Sequence, residues 1–258
     1  MTESLRNYRD FATETAYLAG RLTLGYFQTG VRSDLKDDNS PVTIADRQAE
    51  ELIRSRIEKR YPHHAIVGEE YGVKESEGAS HRWFVDPIDG TKSFIRGVPL
   101  YGVLIGLEIE GTVEVGVAYF PALEEMLAAA SGEGCWWNGR RARVSEVATL
   151  EQSVVAHTNP ASFSKYGRAE EWERFKQVAY SCRGWGDAYG HLLVATGRVE
   201  LMLDPIMNAW DCGPFPPILK EAGGYFGDWQ GVPTIHGNEA ISTTQLLLDD
   251  VLALIRKP

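Results

Sequence analysis

Apolar residues recur every three or four positions over the first 26 residues, and polar residues fill the positions between them. This spacing predicts a long amphipathic first helix, because side chains three and four apart share one helix face. The positions of that face are Leu5, Tyr8, Phe11, Ala12, Thr15, Leu18, Ala19, Leu22 and Tyr26. The same period predicts a second helix that opens over residues 41–50. Its apolar stripe consists of Ala45, Ala49, Leu52, Ile53 and Ile57.

Short apolar runs bounded by Gly, Pro and Asp are typical of strands. Residues 65–67 and 83–85 predict two buried strands, and the second is expected to end at Asp86. Residues 101–108 and 112–119 predict a hairpin around Glu110-Gly111, and further strands over 128–144 are joined by an Asn138-Gly139 turn. The elements expected in the second half are a strand at 153–157, helices at 170–178 and 187–196, a strand at 199–203 and a terminal helix at 244–255.

Composition narrows the classes of function. The chain has 258 residues, enough to bury a substantial core as one domain or as two intimate halves. Its 26 basic and 36 acidic residues give a net charge of −10, which argues against a nucleic-acid surface. We expect no signal segment and no membrane span. Three widely spaced cysteines without a Cys-x-x-Cys pattern indicate reduced thiols and a cytoplasmic protein.

The segment Trp-Phe-Val-Asp-Pro-Ile-Asp-Gly-Thr, residues 83–91, carries the most chemistry. Pro87 and Gly90 predict a turn that presents Asp86 and Asp89 at the carboxyl end of a strand, where α/β proteins commonly build ligand sites. Two such acids repel each other unless a cation lies between them, and Mg²⁺ prefers oxygen ligands. The N–H groups of Gly90 and Thr91 could hold an anion. The alternative interpretation is an ordinary surface turn.

Three more acids stand at comparable places. Glu69 follows the strand predicted at 65–67, within Gly-Glu-Glu. Asp211 fits the start of a helix that ends at Gly223-Gly224, and it could be a helix N-cap and a ligand at once. Asp46 falls beside the apolar stripe of the second helix, where a first-turn acid favoured by the helix dipole is the simpler explanation.

In this order and spacing, these residues resemble the inositol monophosphatase family, within the lithium-sensitive, Mg²⁺-dependent phosphatases. The resemblance runs over nearly the whole chain and includes residues 43–46, 68–70, 86–91, 194–197, 210–211 and 221–224. It also includes the acidic segment 30–40. There the family has a mobile loop that closes over the metals, so Asp34, Asp37 and Asp38 are expected in such a loop around Lys36.

The resemblance implies a role for each position. The first metal site would consist of Glu69, Asp86 and the Ile88 carbonyl, and the second of Asp86, Asp89 and Asp211, with a weaker third Mg²⁺ at Glu69. The catalytic set would be Asp46, Thr91 and Glu69, with Asp46 and Thr91 orienting the attacking water. Gly90 and Thr91 would bind phosphate, and Asp89, Asp187, Asp204 and Asn208 would contact the alcohol half of the substrate. No nucleophilic side chain is required, because phosphoryl transfer depends mainly on positioning and charge stabilisation.

The resemblance further implies an α+β fold, a layered αβαβα sandwich of the inositol monophosphatase/fructose-bisphosphatase type. Residues 1–148 would form a half with most metal ligands, and residues 149–258 a half with Asp211 and the substrate-specificity residues. The family also leads us to expect a homodimer.

Two departures from the inositol pattern bear on the substrate. Residues 91–99 read Thr-Lys-Ser-Phe-x-x-Gly-x-Pro where inositol phosphatases usually have Thr-Asn-Phe, and this form and residues 184–189 resemble the family's histidinol-phosphate phosphatases. Acids at Asp187 and Asp204 would favour a cationic alcohol, although a helix N-cap and a turn residue before Pro205 are simpler explanations. Histidinol phosphate, an intermediate of histidine biosynthesis, is therefore favoured. Inositol 1-phosphate, then 3′(2′),5′-bisphosphate nucleotides, are the alternatives.

A different class stays open, namely a metal-dependent regulatory or scaffold protein that keeps the fold without turnover. The complete acid set argues against it, because clustered carboxylates without a cation reduce stability.

Overall fold

The computed structural model describes residues 3–36 and 40–256, so the expectation for Asp37 and Asp38 lies outside the described residues. The helices of this part of the chain are α1 (Leu5–Leu24), α2 (Ile44–Arg60), α3 (Thr91–Ile95), α4 (Pro160–Lys165), α5 (Ala169–Val178), α6 (Ala188–Ala195), α7 (Ala209–Cys212), α8 (Phe215–Ala222) and α9 (Leu248–Arg256). Within the same residues, each helix is too short or too polar to cross a membrane.

Within residues 3–36 and 40–256, the strands form three sheets. A two-stranded sheet pairs β1 (Ser33–Leu35) with β2 (Pro41–Thr43). An eight-stranded sheet contains β3 (Ala65–Gly68), β4 (Gly72–Lys74), β5 (His81–Asp89), β6 (Gly102–Ile109), β7 (Thr112–Phe120), β8 (Glu125–Ala130), β9 (Gly134–Trp137) and β10 (Arg140–Arg141). Its spatial order is β10-β9-β8-β7-β6-β5-β3-β4, and β3 runs parallel to β5.

The five-stranded sheet has the order β12-β11-β13-β15-β14. Its strands are β11 (Val154–His157), β12 (Ser181–Arg183), β13 (Leu201–Asp204), β14 (Gly224–Gly227) and β15 (Ala240–Thr244). Strand β11 is parallel to both its neighbours, whereas β13, β15 and β14 pair antiparallel.

The helices and sheets alternate in five layers. Helices α1 and α2 cover the outer face of the eight-stranded sheet, α6 and α8 lie between the two larger sheets, and α5 and α9 cover the far face of the five-stranded sheet. Each helix buries its apolar stripe against a sheet face, which is what holds such layers together. The α+β sandwich of αβαβα type is therefore confirmed.

The middle layer joins the two parts of the chain. Phe84 and Leu104 of the eight-stranded sheet belong to the same buried cluster as Leu192 of α6 and Phe215 of α8. The change from one sheet to the other falls between β10 and β11. The division into halves 1–148 and 149–258 stays a prediction.

Two glycines allow the segment after α7 to lie directly on the eight-stranded sheet. A Cβ at Gly106 of β6 would overlap the Gly213 backbone, and a Cβ at Gly116 of β7 would overlap the carbonyl of Pro214. Backbone therefore packs on backbone at the junction between α7 and α8, and this contact fixes the end of α7 relative to β6 and β7.

Some element boundaries predicted from sequence are wrong. Strand β5 does not end at Asp86. It continues to Asp89, because β6 keeps pairing with it at Leu104 and Gly102, with an irregular register between the two aspartates. Residues 41–43 form β2, and the second helix begins at Ile44. Thr244 ends β15, and the last helix begins at Leu248.

The helix expected from Asp211 to Gly223 is two helices, α7 and α8. Asn208 is the N-cap of α7, and Asp211 is its third helical residue, so the N-cap interpretation of Asp211 is wrong. The predicted end at Gly223 is confirmed, with φ of 89°. His64, just before β3, is partly exposed and stacks on Tyr61.

Candidate active site

Three carboxylates meet at the end of β5. Oxygen atoms of Asp86, Asp89 and Asp211 all lie within 4.8 Å of one another. In a regular strand, residues three apart point to opposite faces. The irregular register of β5 between Asp86 and Asp89 removes that alternation, so both side chains reach the same cluster. Asp211 enters from α7, which packs on β5 and β6.

Backbone N–H groups hold each of these carboxylates. Asp86 Oδ1 accepts a hydrogen bond from Ile88 N at 2.9 Å, and Asp89 Oδ2 accepts one from Ala188 N at 2.7 Å. Asp211 Oδ2 accepts one from Asn208 N at 2.8 Å. Each bond engages one oxygen of the carboxylate, so the orientation of the side chain is fixed before any ligand arrives.

The cluster is electrostatically unfavourable without a cation. Burial, together with repulsion from Glu69, Asp89 and Asp211, raises the pKa of Asp86 well above its usual range. Burial and the charges of Asp187 and Asp211 do the same to the pKa of Asp89, and burial raises the pKa of Asp211 to about 7. A buried all-oxygen donor set of this kind fits a hard divalent cation such as Mg²⁺.

Glu69 lines the same cavity of about 230 Å³ as the three aspartates. Its Oε1 pairs with Lys36 Nζ at 2.7 Å, and Glu70 Oε1 lies equally close to that ammonium. Lys36, predicted in the acidic loop, thus provides a positive charge beside the cluster. Burial raises the pKa of Glu70 to about 7.

Asp46 and Thr91 meet at the edge of this cavity. Thr91 Oγ1 lies 3.3 Å from Asp46 Oδ1 and 3.1 Å from the carbonyl oxygen of Ile88. The other oxygen of Asp46 accepts hydrogen bonds from Thr43 N at 2.7 Å and from Thr43 Oγ1 at 2.6 Å. Asp46 is wholly buried, which raises the pKa of its carboxyl group. It can therefore orient the Thr91 hydroxyl.

Gly90 occupies a position that suits glycine. Its φ of 80° is in the left-handed region, and a Cβ there would lie 3.1 Å from both the Leu100 carbonyl oxygen and Asp187 Oδ2. The turn brings Gly90 and Thr91 to the cavity that contains the aspartates. Their role in phosphate binding stays a prediction.

A second cavity, of about 350 Å³, adjoins the first. Asp89, Lys92, Asp187 and Asp211 line both. The walls of the second cavity include Thr158, Asn159, Ser162, Lys165, Tyr166, Asp204 and Met207. An ester whose phosphate lies at the acid cluster would place its alcohol half in this second cavity.

Asp187 stands at the N-cap position of α6 but makes no side-chain capping bond, and its φ is 50°. Such a value is uncommon for a residue with a side chain. Burial, then the charge of Asp204, raises the pKa of Asp187 to about 6, while Lys92 and a hydrogen bond with Ser93 oppose that shift. Lys92 and Ser93, which depart from the pattern of inositol phosphatases, therefore both interact with Asp187.

Asp204 is held by residues that sequence reasoning missed. Thr158 Oγ1 donates to Asp204 Oδ1 at 2.7 Å and accepts from Asp187 N at 2.8 Å. His191 Nε2 lies 3.3 Å from Asp204 Oδ2, too oblique for a hydrogen bond, and His191 Nδ1 is 2.7 Å from Ser242 Oγ. His191 could have been suspected as a histidine in an otherwise apolar helix, whereas Thr158 carries no local signal.

Asn208 lines the first cavity, and its side-chain nitrogen lies 3.3 Å from Asp211 Oδ2. This contact orients an acid of the cluster. Contact between Asn208 and a substrate stays a prediction.

Comparisons with known proteins agree with this geometry. The sequence model of the inositol monophosphatase family matches residues 4–256. The chain is 45% identical to a histidinol-phosphatase of Chlorobaculum parvum over 231 residues, 89% of each chain. It is 35% identical to a histidinol-phosphatase of Mycobacterium tuberculosis, over 86% of this chain and 87% of that one. A crystal structure of the extragenic suppressor protein suhB from Bartonella henselae superposes with a TM-score of 0.89 at 28% identity, covering 96% of this chain and 98% of that chain.

Proposed function

The chain belongs to the inositol monophosphatase family, and from this premise we propose that it is a Mg²⁺-dependent histidinol-phosphate phosphatase. Membership and the named relatives establish a phosphoric monoester hydrolase. The metal and the particular ester within that class are the proposal.

One observation carries the choice of substrate. Asp187 and Asp204 line the cavity beside the acid cluster, where Asp204 is buried and Asp187 is partly buried. Two carboxylates in this position favour an alcohol with positive charge, because a charge-assisted hydrogen bond is stronger than a neutral one. Histidinol carries an ammonium and an imidazole group, whereas inositol is neutral. The histidinol-phosphatase relatives support the same choice.

The acid cluster supports the choice of metal. Glu69, Asp86, the Ile88 carbonyl, Asp89 and Asp211 would hold Mg²⁺. When bound, Mg²⁺ supplies charge neutralisation at the phosphate and lowers the pKa of the attacking water. Asp46 holds the Thr91 hydroxyl at the cavity edge, where Thr91 can accept a hydrogen bond from that water. The N–H groups of Gly90 and Thr91 orient phosphate oxygens, and Asp187 and Asp204 bind the alcohol half. The water oxygen forms the new bond to phosphorus, and the ester oxygen leaves with the alcohol and takes up a proton.

A homodimer and a cytoplasmic location complete the proposal. The dimer rests on the family resemblance alone. The location is supported by Cys135, Cys182 and Cys212, all of which are free thiols.

A second candidate is a bisphosphate substrate. Lys92 and Lys165 line the second cavity together with its acids, and two ammonium groups there could bind a further phosphate, such as that of a 3′(2′),5′-bisphosphate nucleotide.

A phosphate-release panel in saturating Mg²⁺ tests both candidates. It contains histidinol phosphate, inositol 1-phosphate, fructose 1,6-bisphosphate and adenosine 3′,5′-bisphosphate. We expect kcat/KM for histidinol phosphate to exceed each other value by about tenfold or more. A preference for inositol 1-phosphate or a bisphosphate would replace the proposed substrate, and no release from any ester would favour the scaffold alternative.

A further inference from the structure

Glu50 is a fully buried carboxylate on α2, one helical turn after Asp46, and the roles assigned above do not use it. Three donors converge on it. Glu70 N donates to Oε2 at 2.7 Å, and Tyr71 N and Arg54 Nε donate to Oε1 at 3.2 and 2.7 Å. A buried charge is tolerated when it is paired and hydrogen-bonded in this way. The carboxylate therefore binds two successive N–H groups of the turn after β3.

The same carboxylate lies directly against the end of β3. A Cβ at Gly68 would overlap the carboxylate of Glu50 and crowd the guanidinium of Arg54. Gly68 thus leaves room for Glu50 to reach the backbone of the turn. The residue between these contacts is Glu69, whose side chain lines the cavity of the acid cluster.

The backbone of Glu69 is fixed on its other side by β5. Glu69 N donates to the carbonyl oxygen of Val85 at 3.2 Å, and Val85 immediately precedes Asp86. Glu50 holds the two N–H groups that follow Glu69, and β5 holds that of Glu69 itself. Together these bonds set the direction in which the Glu69 side chain leaves the backbone relative to Asp86.

We infer that Glu50 is a positioning residue for cation binding. Through Glu70 N and Tyr71 N it holds the turn so that Glu69 faces the acid cluster. The inference rests on the proposed function only in requiring a divalent cation there. Because Asp46 and Glu50 are both buried on α2, one rigid helix sets the position of Thr91 and of Glu69 together.

The decisive variant is Glu50→Gln, which keeps the size of the side chain. Its amide offers one acceptor oxygen, and its NH₂ group must face a donor, so a hydrogen bond to the turn is lost. Isothermal titration of the metal-free protein with Mg²⁺ should show affinity about tenfold weaker or more, as is usual when a group that orients a ligand is changed. kcat at saturating Mg²⁺ should stay within about threefold, because the cluster itself is intact.

Glu51→Gln is the matched control. Glu51 is the next residue of α2, is exposed, and accepts a hydrogen bond from the Tyr71 hydroxyl at 2.5 Å, so it contacts the same turn without holding its backbone. Its Mg²⁺ affinity should equal that of the wild type. Should Glu50→Gln fail to fold, Glu50→Asp keeps the charge, shortens the reach, and should also weaken Mg²⁺ binding.

Wild-type Mg²⁺ affinity in folded Glu50→Gln would overturn the inference, even with a lower melting temperature, since that pattern marks a purely structural residue. Wild-type affinity in Glu50→Asp would overturn it if that is the only variant that folds. These results are distinct from failure of the proposed function, in which the wild-type protein itself neither binds Mg²⁺ nor releases phosphate.

Discussion

The indole nitrogen of Trp83 donates a hydrogen bond of 3.0 Å to Nδ1 of His64. The neutral imidazole must therefore carry its proton on Nε2. His64 is stacked between Tyr61 and His81, with ring centroids 4.8 and 4.4 Å away. Burial, followed by the charges of His81 and His63, lowers the pKa of His64 to about 4.

This pairing predicts a loss of stability in acid. Between about pH 6.5, where an unfolded histidine titrates, and about pH 4, the unfolded state binds a proton that folded His64 does not, so stability falls as pH falls. In His64→Asn the amide oxygen can still accept the hydrogen bond from Trp83. Between these pH values we expect the free energy of unfolding of this variant to fall by about 1–2 kcal/mol less than that of the wild type, a figure that allows for the partial exposure of the ring. Urea unfolding of metal-free protein at pH 7 and 4.5 measures the difference.

The control for this experiment is His236→Asn, since His236 is exposed and is not among the groups whose charge lowers the pKa of His64. It should follow the wild-type curve. The acid cluster titrates in all three proteins and cancels from the comparison. Parallel curves for His64→Asn and the wild type would show that His64 does not resist protonation in the folded protein.

Asp86→Asn should change activity and stability in opposite directions. Asp86 is proposed as a ligand in both the first and the second metal site, so turnover at saturating Mg²⁺ should fall by about 100-fold or more. The metal-free variant should melt at a higher temperature than the wild type, because a buried charge that repels Glu69, Asp89 and Asp211 has been removed. Asp10→Asn, an exposed acid of α1, should alter neither property. Full activity in Asp86→Asn would exclude its role as a ligand.

Asp204→Asn should alter selectivity more than overall rate. If Asp204 binds the cationic alcohol, kcat/KM should fall about tenfold more for histidinol phosphate than for neutral glycerol phosphate. Thr158 can still donate to the amide oxygen, so the local hydrogen bond survives. The acid cluster serves both esters equally. An equal loss on both would identify Asp204 as a structural residue.

Gly116→Ala should destabilise the protein through the junction of α7 and α8. The new methyl group would overlap the Pro214 carbonyl, so either β7 or the junction must move. We expect the free energy of unfolding in urea to decrease by about 1–3 kcal/mol. Gly184→Ala is the comparison, because its Cβ would lie 3.7 Å from the His157 ring, an ordinary van der Waals contact. Equal stability of the two variants would disprove the close approach.

The parts of the fold that the sequence predicted depend on local pattern. The hairpin of β6 and β7 consists of two largely apolar runs joined at Glu110-Gly111, and both turn residues have positive φ as such a turn requires. Strands β14 and β15 were missed because residues 224–227 and 240–244 are rich in Gly, Ser and Thr, and their pairing joins distant segments. Strand preference in such sequences comes mainly from tertiary neighbours.

The difference between local pattern and long-range contact also applies to the candidate active site. Asp86, Asp89 and Asp211 stand in short motifs, and the family resemblance of those motifs implied that the three acids would meet. The groups that orient other acids gave no such signal. Glu50 holds N–H groups 20 and 21 residues away, and Thr158 reaches Asp204 across 46 residues. Contacts of this range follow from the completed fold.

The packing of the α7–α8 junction against β6 and β7 also bears on protein synthesis. A ribosome releases Asp86 and Asp89, with the strands around them, well before Asp211 is made. During that interval the nascent chain has only two of the three clustered aspartates. Gly106 and Gly116 do not yet contact the backbone of Gly213 and Pro214. A prematurely terminated product would therefore lack the third carboxylate of the cluster, and we expect it to release no phosphate.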